Sequence, residues 1–186
     1  MEQKMKVLHA TIEVFNEKGL KFTMDDIAVR LGMSKKTIYT IFKDKEALFF
    51  EMVGYLFGSV KEGEKRILED KNLTTVEKIK AVLGVLPDKY QNIDFGKLYQ
   101  LREKHPKIYA EVEKQLENGW ENTIALLEQG MEEGVIRPIK IPILKTMFEA
   151  VLEQFFSRDV LVCNGITYQQ ALEEVVNILI DGITVR

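Results

Sequence analysis

Lys35, Lys36, Tyr39, Thr40 and Lys43 bring ammonium, hydroxyl and phenol groups together in one short stretch. These are the groups that meet phosphate oxygens and base edges. Interleaved with them, Ile38, Ile41 and Phe42 recur at helical spacing and form an opposite, apolar face. A helix divided in this way has what a recognition helix requires. One face packs on a supporting helix, and the other enters a major groove.

The elements that must hold this stretch are legible upstream. Leu31–Gly32–Met33–Ser34 reads as a tight turn, with Gly32 free to take positive φ and Ser34 suited to cap a helix from about Lys35 to Phe42. Before it, Thr23-Met24-Asp25-Asp26 is a capping box with Asp26 in place of the usual Glu. It opens a helix that buries Met24, Ile27, Ala28 and Leu31. A first helix runs from Gln3 to Lys18 with Leu8, Ile12 and Phe15 on one face, and Gly19 stops it. Asp44 caps a fourth helix that continues through Phe49, Met52, Leu56 and Val60. Asp25 and Asp26 are a first-turn charge and a cap, because adjacent helical positions point apart.

The remainder predicts a helical bundle. Thr74-Thr75-Val76-Glu77 opens a helix to about Tyr90, a short helix covers Phe95 to Glu103, and a long one runs from Pro106 to about Glu133. The last two span Ile143–Ser157 and Tyr168–Ile183. The fold class is all-α: a three-helix helix-turn-helix head followed by a larger helical domain, about nine helices in all. The expected domains are residues 1–46 and 47–186. Four prolines among 186 residues and an apolar share of 46% agree with a packed helical chain. Cys163 is alone and lies in the apolar run Val160–Leu161–Val162, so it is expected buried and inert. The N-terminus has no apolar block like that of a signal peptide, and no apolar run spans a bilayer, so the expectation is a cytoplasmic protein without a membrane partner. Net charge is −3, yet residues 1–46 carry nine basic and seven acidic side chains, leaving the rest at −5. A mildly basic head on an acidic body is compatible with DNA.

The run Thr23-Met24-Asp25-Asp26-Ile27-Ala28-x-x-Leu31-Gly32-Met33-Ser34-x-x-Thr37-Ile38-Tyr39-x-x-Phe42-Lys43-Asp44-Lys45-Glu46-Ala47-Leu48 resembles the N-terminal domain of tetracycline-repressor-like (TetR/AcrR) regulators. The resemblance covers roughly Val7 to Phe50, about a quarter of the chain. Lys36 departs from the small residue many members carry, and Met33 from the usual Val. The resemblance implies a ligand-responsive transcriptional regulator, a repressor, acting as a homodimer on a two-fold symmetric operator in double-stranded DNA. It also implies an unidentified small-molecule effector within the larger domain. Lys35 and Lys36 would then meet base edges or nearby phosphates, and Thr37 and Thr40 phosphate or base. Tyr39 would meet backbone or a thymine methyl, and Thr23 and Lys45 would hold phosphates at helix N-termini. Lys43 completes the basic face.

In the body, Phe95, Tyr99, Trp120 and Phe156 are the candidates for lining a cavity, although aromatics at helical spacing are ordinarily core. The last two helices carry apolar stripes wide enough for two faces. Val151, Phe155, Leu172, Val176, Leu179 and Ile183 are the candidate dimer interface, and an intramolecular core is the other reading. A body that answers to a protein partner, or to nothing, is the alternative function. An all-α enzyme would need a nucleophile, base or metal set. No Gly-rich phosphate loop, nucleophile elbow or His cluster is present, and His9 and His105 lack a second ligand at metal spacing. No catalytic residue, metal or cofactor is expected.

Overall fold

Caps decide where the helices begin. In the computed structural model, which describes residues 2–86 and 101–185, α1 spans Glu2–Lys18 and runs into a 3₁₀ turn over Gly19–Lys21, with Gly19 at φ +58°. The Thr23 hydroxyl accepts from the Asp26 amide, and the Asp26 carboxylate accepts in return from the Thr23 amide, which starts α2 (Met24–Leu31). Gly32 ends it at φ +61°, a left-handed position that favours glycine. Ser34 caps α3 (Lys35–Ile41) and Asp44 caps α4 (Lys45–Glu69) by accepting from the Ala47 amide. The supporting and recognition helices therefore stand where the sequence places them.

The body is built on α4, whose 25 residues extend about 38 Å. α5 (Thr75–Leu83) starts with the Thr74/Glu77 capping box and packs on α4. It ends at Leu83, before the Tyr90 expected, with Gly84 as its C-cap and Val85 and Leu86 outside any helix. The turn α6 (Leu101–Lys104) leads to α7 (Pro106–Glu117), with proline at its first position. The short helix expected over Phe95 to Glu103 lies outside the described residues up to its last three. α8 covers Glu121–Glu132, α9 Ile141–Ser157, α10 Val160–Asn164 and α11 Tyr168–Asp181. α5 lies against α4, α8 and α11, and α9 against α7, α10 and α11. An isolated antiparallel bridge, Ile136 with Thr184, and the Val185 amide on the Val135 carbonyl fasten the end of the chain beside the α8–α9 connector.

Two further expectations are corrected. The long helix from Pro106 is two helices, because Gly119 takes φ +80° between them and the Asn118 side chain turns back to the Lys114 carbonyl. Trp120 thus sits at a break, not mid-helix. Cys163 is exposed rather than buried. In the one turn of α10 only Leu161 faces the core. The Asp159 carboxylate beside the Cys163 thiol (3.2 Å) raises its pKa, which keeps it a poor nucleophile.

Candidate nucleic-acid interface and interior cavity

The helix-turn-helix is held by its core and by ion pairs across its surface. Ile38 and Phe42 are buried, with Ile41 half-buried beside them. Phe15, Phe22 and Phe49 interlock beneath them at centroid distances of 5.7 to 6.3 Å. Arg30 on α2 reaches Glu13 and Glu17 on α1, and Lys18 reaches Asp26. The Lys18 ammonium, and then the Thr23 hydroxyl, hold the Asp26 carboxyl down at about 2, below its ordinary value near 4. A carboxyl depressed on folding stabilises above its unfolded pKa and loses that contribution as pH falls through its folded one. Thermal melts of the wild type and Asp26→Asn should therefore differ at neutral pH and converge between about pH 4 and pH 2. A difference that persists unchanged below pH 2 would contradict this.

Lys35, Lys36, Tyr39, Thr40 and Lys43 are all exposed on one side of α3 and the turn after it. They are not equally available. Lys35 is 2.8 Å from Asp25, which raises its pKa and ties α3 to α2. Lys36 and Lys43 carry no ion pair among the described residues. Thr37 shares a 2.8 Å hydrogen bond with Ser34, Thr40 donates to the Thr37 carbonyl, and the Thr23 hydroxyl is committed to Asp26. Lys45 has another task. Its ammonium donates to the Leu20 carbonyl at 2.8 Å and lies 4.2 Å from the centre of the Phe22 ring, and burial lowers its pKa. In the free protein Lys45 packs the head together, and phosphate would have to displace both contacts.

A cavity of about 160 Å³ lies in the body. Met52, Leu56, Val60 and Glu64 of α4 line it at spacings of four, and the remaining wall comes from Phe15 of α1, from α5 to α9 and from α11. Trp120 and Phe156 are in that wall; Phe95 and Tyr99 lie outside the described residues. The Trp120 ring stands edge-on to Phe148, and its indole N–H donates to the Leu116 carbonyl. Sequence reasoning missed the cavity's polar groups. The Lys61 ammonium donates to both Glu64 oxygens and to the Gly119 carbonyl, each at 2.8 Å. Glu149 also lines the wall, and its Oε1 is buried without a hydrogen-bond donor. Glu64 was detectable in principle, since it continues the apolar stripe of α4.

Of the candidate interface residues, Leu172, Val176 and Ile183 are buried within this chain, so they belong to the intramolecular core. Val151, Phe155 and Leu179 are half-buried. The apolar side chains left exposed on α9 and α11 are Ile143, Met147 and Ile178.

A capped helix-turn-helix with a basic outer face, continuous with a helical body, defines a DNA-binding transcriptional regulator. Residues 7–52 match the family model described as bacterial regulatory proteins, tetR family. The chain is 28% identical over 179 residues to the uncharacterized HTH-type transcriptional regulator YvaF of Bacillus subtilis (strain 168), covering 96% of this chain and 94% of that protein. It shares its fold with a TetR transcription regulator from Haloarcula marismortui (TM-score 0.74, 16% identity, 99% of each chain). The transcriptional regulator FadR from Bacillus subtilis, solved in complex with stearoyl-CoA, also has this fold (TM-score 0.65, 23% identity, 96% of this chain and 98% of that one). Residues 7–52 are thus a TetR-family N-terminal domain, and the curated relatives that the chain matches are transcriptional regulators. Among the described residues no helix is long and apolar enough to cross a membrane.

Proposed function

We propose that the chain is a cytoplasmic repressor that binds a two-fold operator as a homodimer and is released by a small molecule in the body cavity. In this reading residues 1–46 are the DNA-binding head and residues 47–186 the effector and dimerisation domain. The observation that supports it best is that a single helix carries both ends of the switch. The first turns of α4 place Leu48 and Phe49 in the head core, and its later turns, from Met52 to Glu64, form a wall of the cavity. A molecule in the cavity that prefers one position of α4 thereby prefers one spacing of the two heads, which is coupling by differential affinity. That FadR, a regulator with this fold, was solved in complex with stearoyl-CoA supports the binding of a small molecule. Exposed Ile143, Met147 and Ile178, flanked by half-buried Val151, Phe155 and Leu179, are the face on which the second subunit would pack.

Lys36, Tyr39, Thr40 and Lys43 carry the DNA contacts in this reading, with Thr37 and Thr23 shaping the helix starts beside the backbone. Selection from random DNA should enrich a two-fold site whose affinity falls with salt. Absence of any salt-sensitive enrichment would overturn the reading. Lys36→Ala should either relax preference at one operator position, as a base contact does, or lower the salt slope by about 1, as a phosphate contact does. Lys35→Ala should weaken binding less, because the Lys35 ammonium must first leave Asp25. A Lys35→Ala loss larger than that of Lys36→Ala would reverse the assignment.

A further inference from the structure

We infer that the body cavity takes a small apolar amine: one ring or its equivalent, carrying a single ammonium group that meets Glu149. This rests on the effector reading above and specifies its ligand. Size comes first. At about 160 Å³ the cavity is close to one that holds a benzene-sized molecule, about 150 Å³. Most of its wall is apolar, from Met52, Leu56, Val82, Leu152 and their neighbours.

Charge selects within that size. The lining side chains with formal charge, among the described residues, are Lys61, Glu64 and Glu149. Lys61 has three donors, and all three are spent on Glu64 and the Gly119 carbonyl. Glu149 is different. Its Oε1 is shut off from water and receives no hydrogen bond. Its ion-pair partner Lys145 holds its Nζ 3.5 Å from that oxygen, donates to the Glu117 carbonyl at 3.0 Å, and is not part of the cavity wall. A carboxylate whose own cation stands 3.5 Å away without a hydrogen bond can still take a charge-assisted bond from an N–H brought in through the cavity. The same corner already accepts an ammonium from its outer side. Lys145 Nζ lies 5.7 Å from the Trp120 ring centre, and Trp120 and Glu149 both face the cavity. An anionic ligand would instead meet two carboxylates and a lysine with no donor left.

The test is calorimetric titration of the full-length protein with 2-phenylethylammonium, 2-phenylethanol and phenylacetate. The amine should bind at least tenfold more tightly than either of the others. Glu149→Gln should abolish that preference, while Glu62→Gln, an exposed neighbour on α4, should leave it intact. Phenylacetate or 2-phenylethanol binding as tightly as the amine would overturn the amine assignment and leave the cavity as an effector site. An amine preference that survives Glu149→Gln would overturn the role of Glu149. No binding by any of the three would overturn the cavity as a site for ligands of this size, and with it the effector reading.

Discussion

Phe49→Ala is expected to cost about 3–5 kcal/mol, the range for removing a fully buried phenyl group from a packed core. Phe49 is 1% exposed. Its ring meets Phe15 at 5.8 Å, Phe22 at 5.7 Å and His105 at 5.6 Å, the last two edge-on. Those partners come from α1, the segment after the 3₁₀ turn and the start of α7. One ring therefore joins the head to the body, and its loss leaves a hole where two units meet. A domain of ordinary stability has about 5–15 kcal/mol in total, so the variant should be partly unfolded or close to it. Phe50 is the control. It is next in sequence but 45% exposed, so Phe50→Ala should stay within about 0.5 kcal/mol. Urea denaturation of both variants measures the difference, and equal effects would show that Phe49 is not the joint described.

The residues that were legible in the sequence are those whose role is decided within a few positions. Thr23 with Asp26, Thr74 with Glu77 and Thr167 with Gln170 are reciprocal caps spaced three apart, and each starts a helix in the structure. The division of α3 into Ile38 and Phe42 against Lys36 and Tyr39 is likewise local. What was not legible depends on distant partners. The break at Gly119 is set against Lys61, whose Cε would lie 2.6 Å from a Cβ added there. Fifty-eight residues separate the two, and helical periodicity carries no trace of that contact. Lys45 looked like a phosphate ligand because its neighbours are family positions, whereas Leu20 and Phe22 occupy its ammonium. The stripes of α9 and α11 showed that two faces are apolar, but not that Leu172, Val176 and Ile183 would be covered by the chain's own helices.

Replacing both Gly54 and Gly58 of α4 by alanine is expected to raise stability by roughly 1–2 kcal/mol, because each interior glycine costs a helix about 0.8–1.0 kcal/mol relative to alanine. A Cβ at either position meets no atom within 4 Å, so nothing in the packing of this chain asks for glycine. Gly63 is the contrast: a Cβ there would lie 2.7 Å from Val85 Cγ2, and Gly63→Ala should destabilise. The two open glycines lie one turn apart, and next to Gly58 the Ser59 hydroxyl donates to the Tyr55 carbonyl at 3.0 Å. Gly/Ser pairs and back-bonded serines are where helices bend. They fall on the stretch of α4 that runs from the head core to Lys61 and Glu64 at the cavity. A helix kept soft there, at a cost to stability, is one that can change its curvature most easily at that stretch. The doubly substituted protein should therefore melt a few degrees higher, at about 2–4 °C per kcal/mol for a chain of this size. It should also bind its selected operator as the wild type does, yet lose part of the drop in operator affinity that saturating 2-phenylethylammonium produces. Stabilisation with an undiminished drop would place the bend elsewhere. No stabilisation would mean that contacts beyond this single chain fill the space beside Gly54 and Gly58.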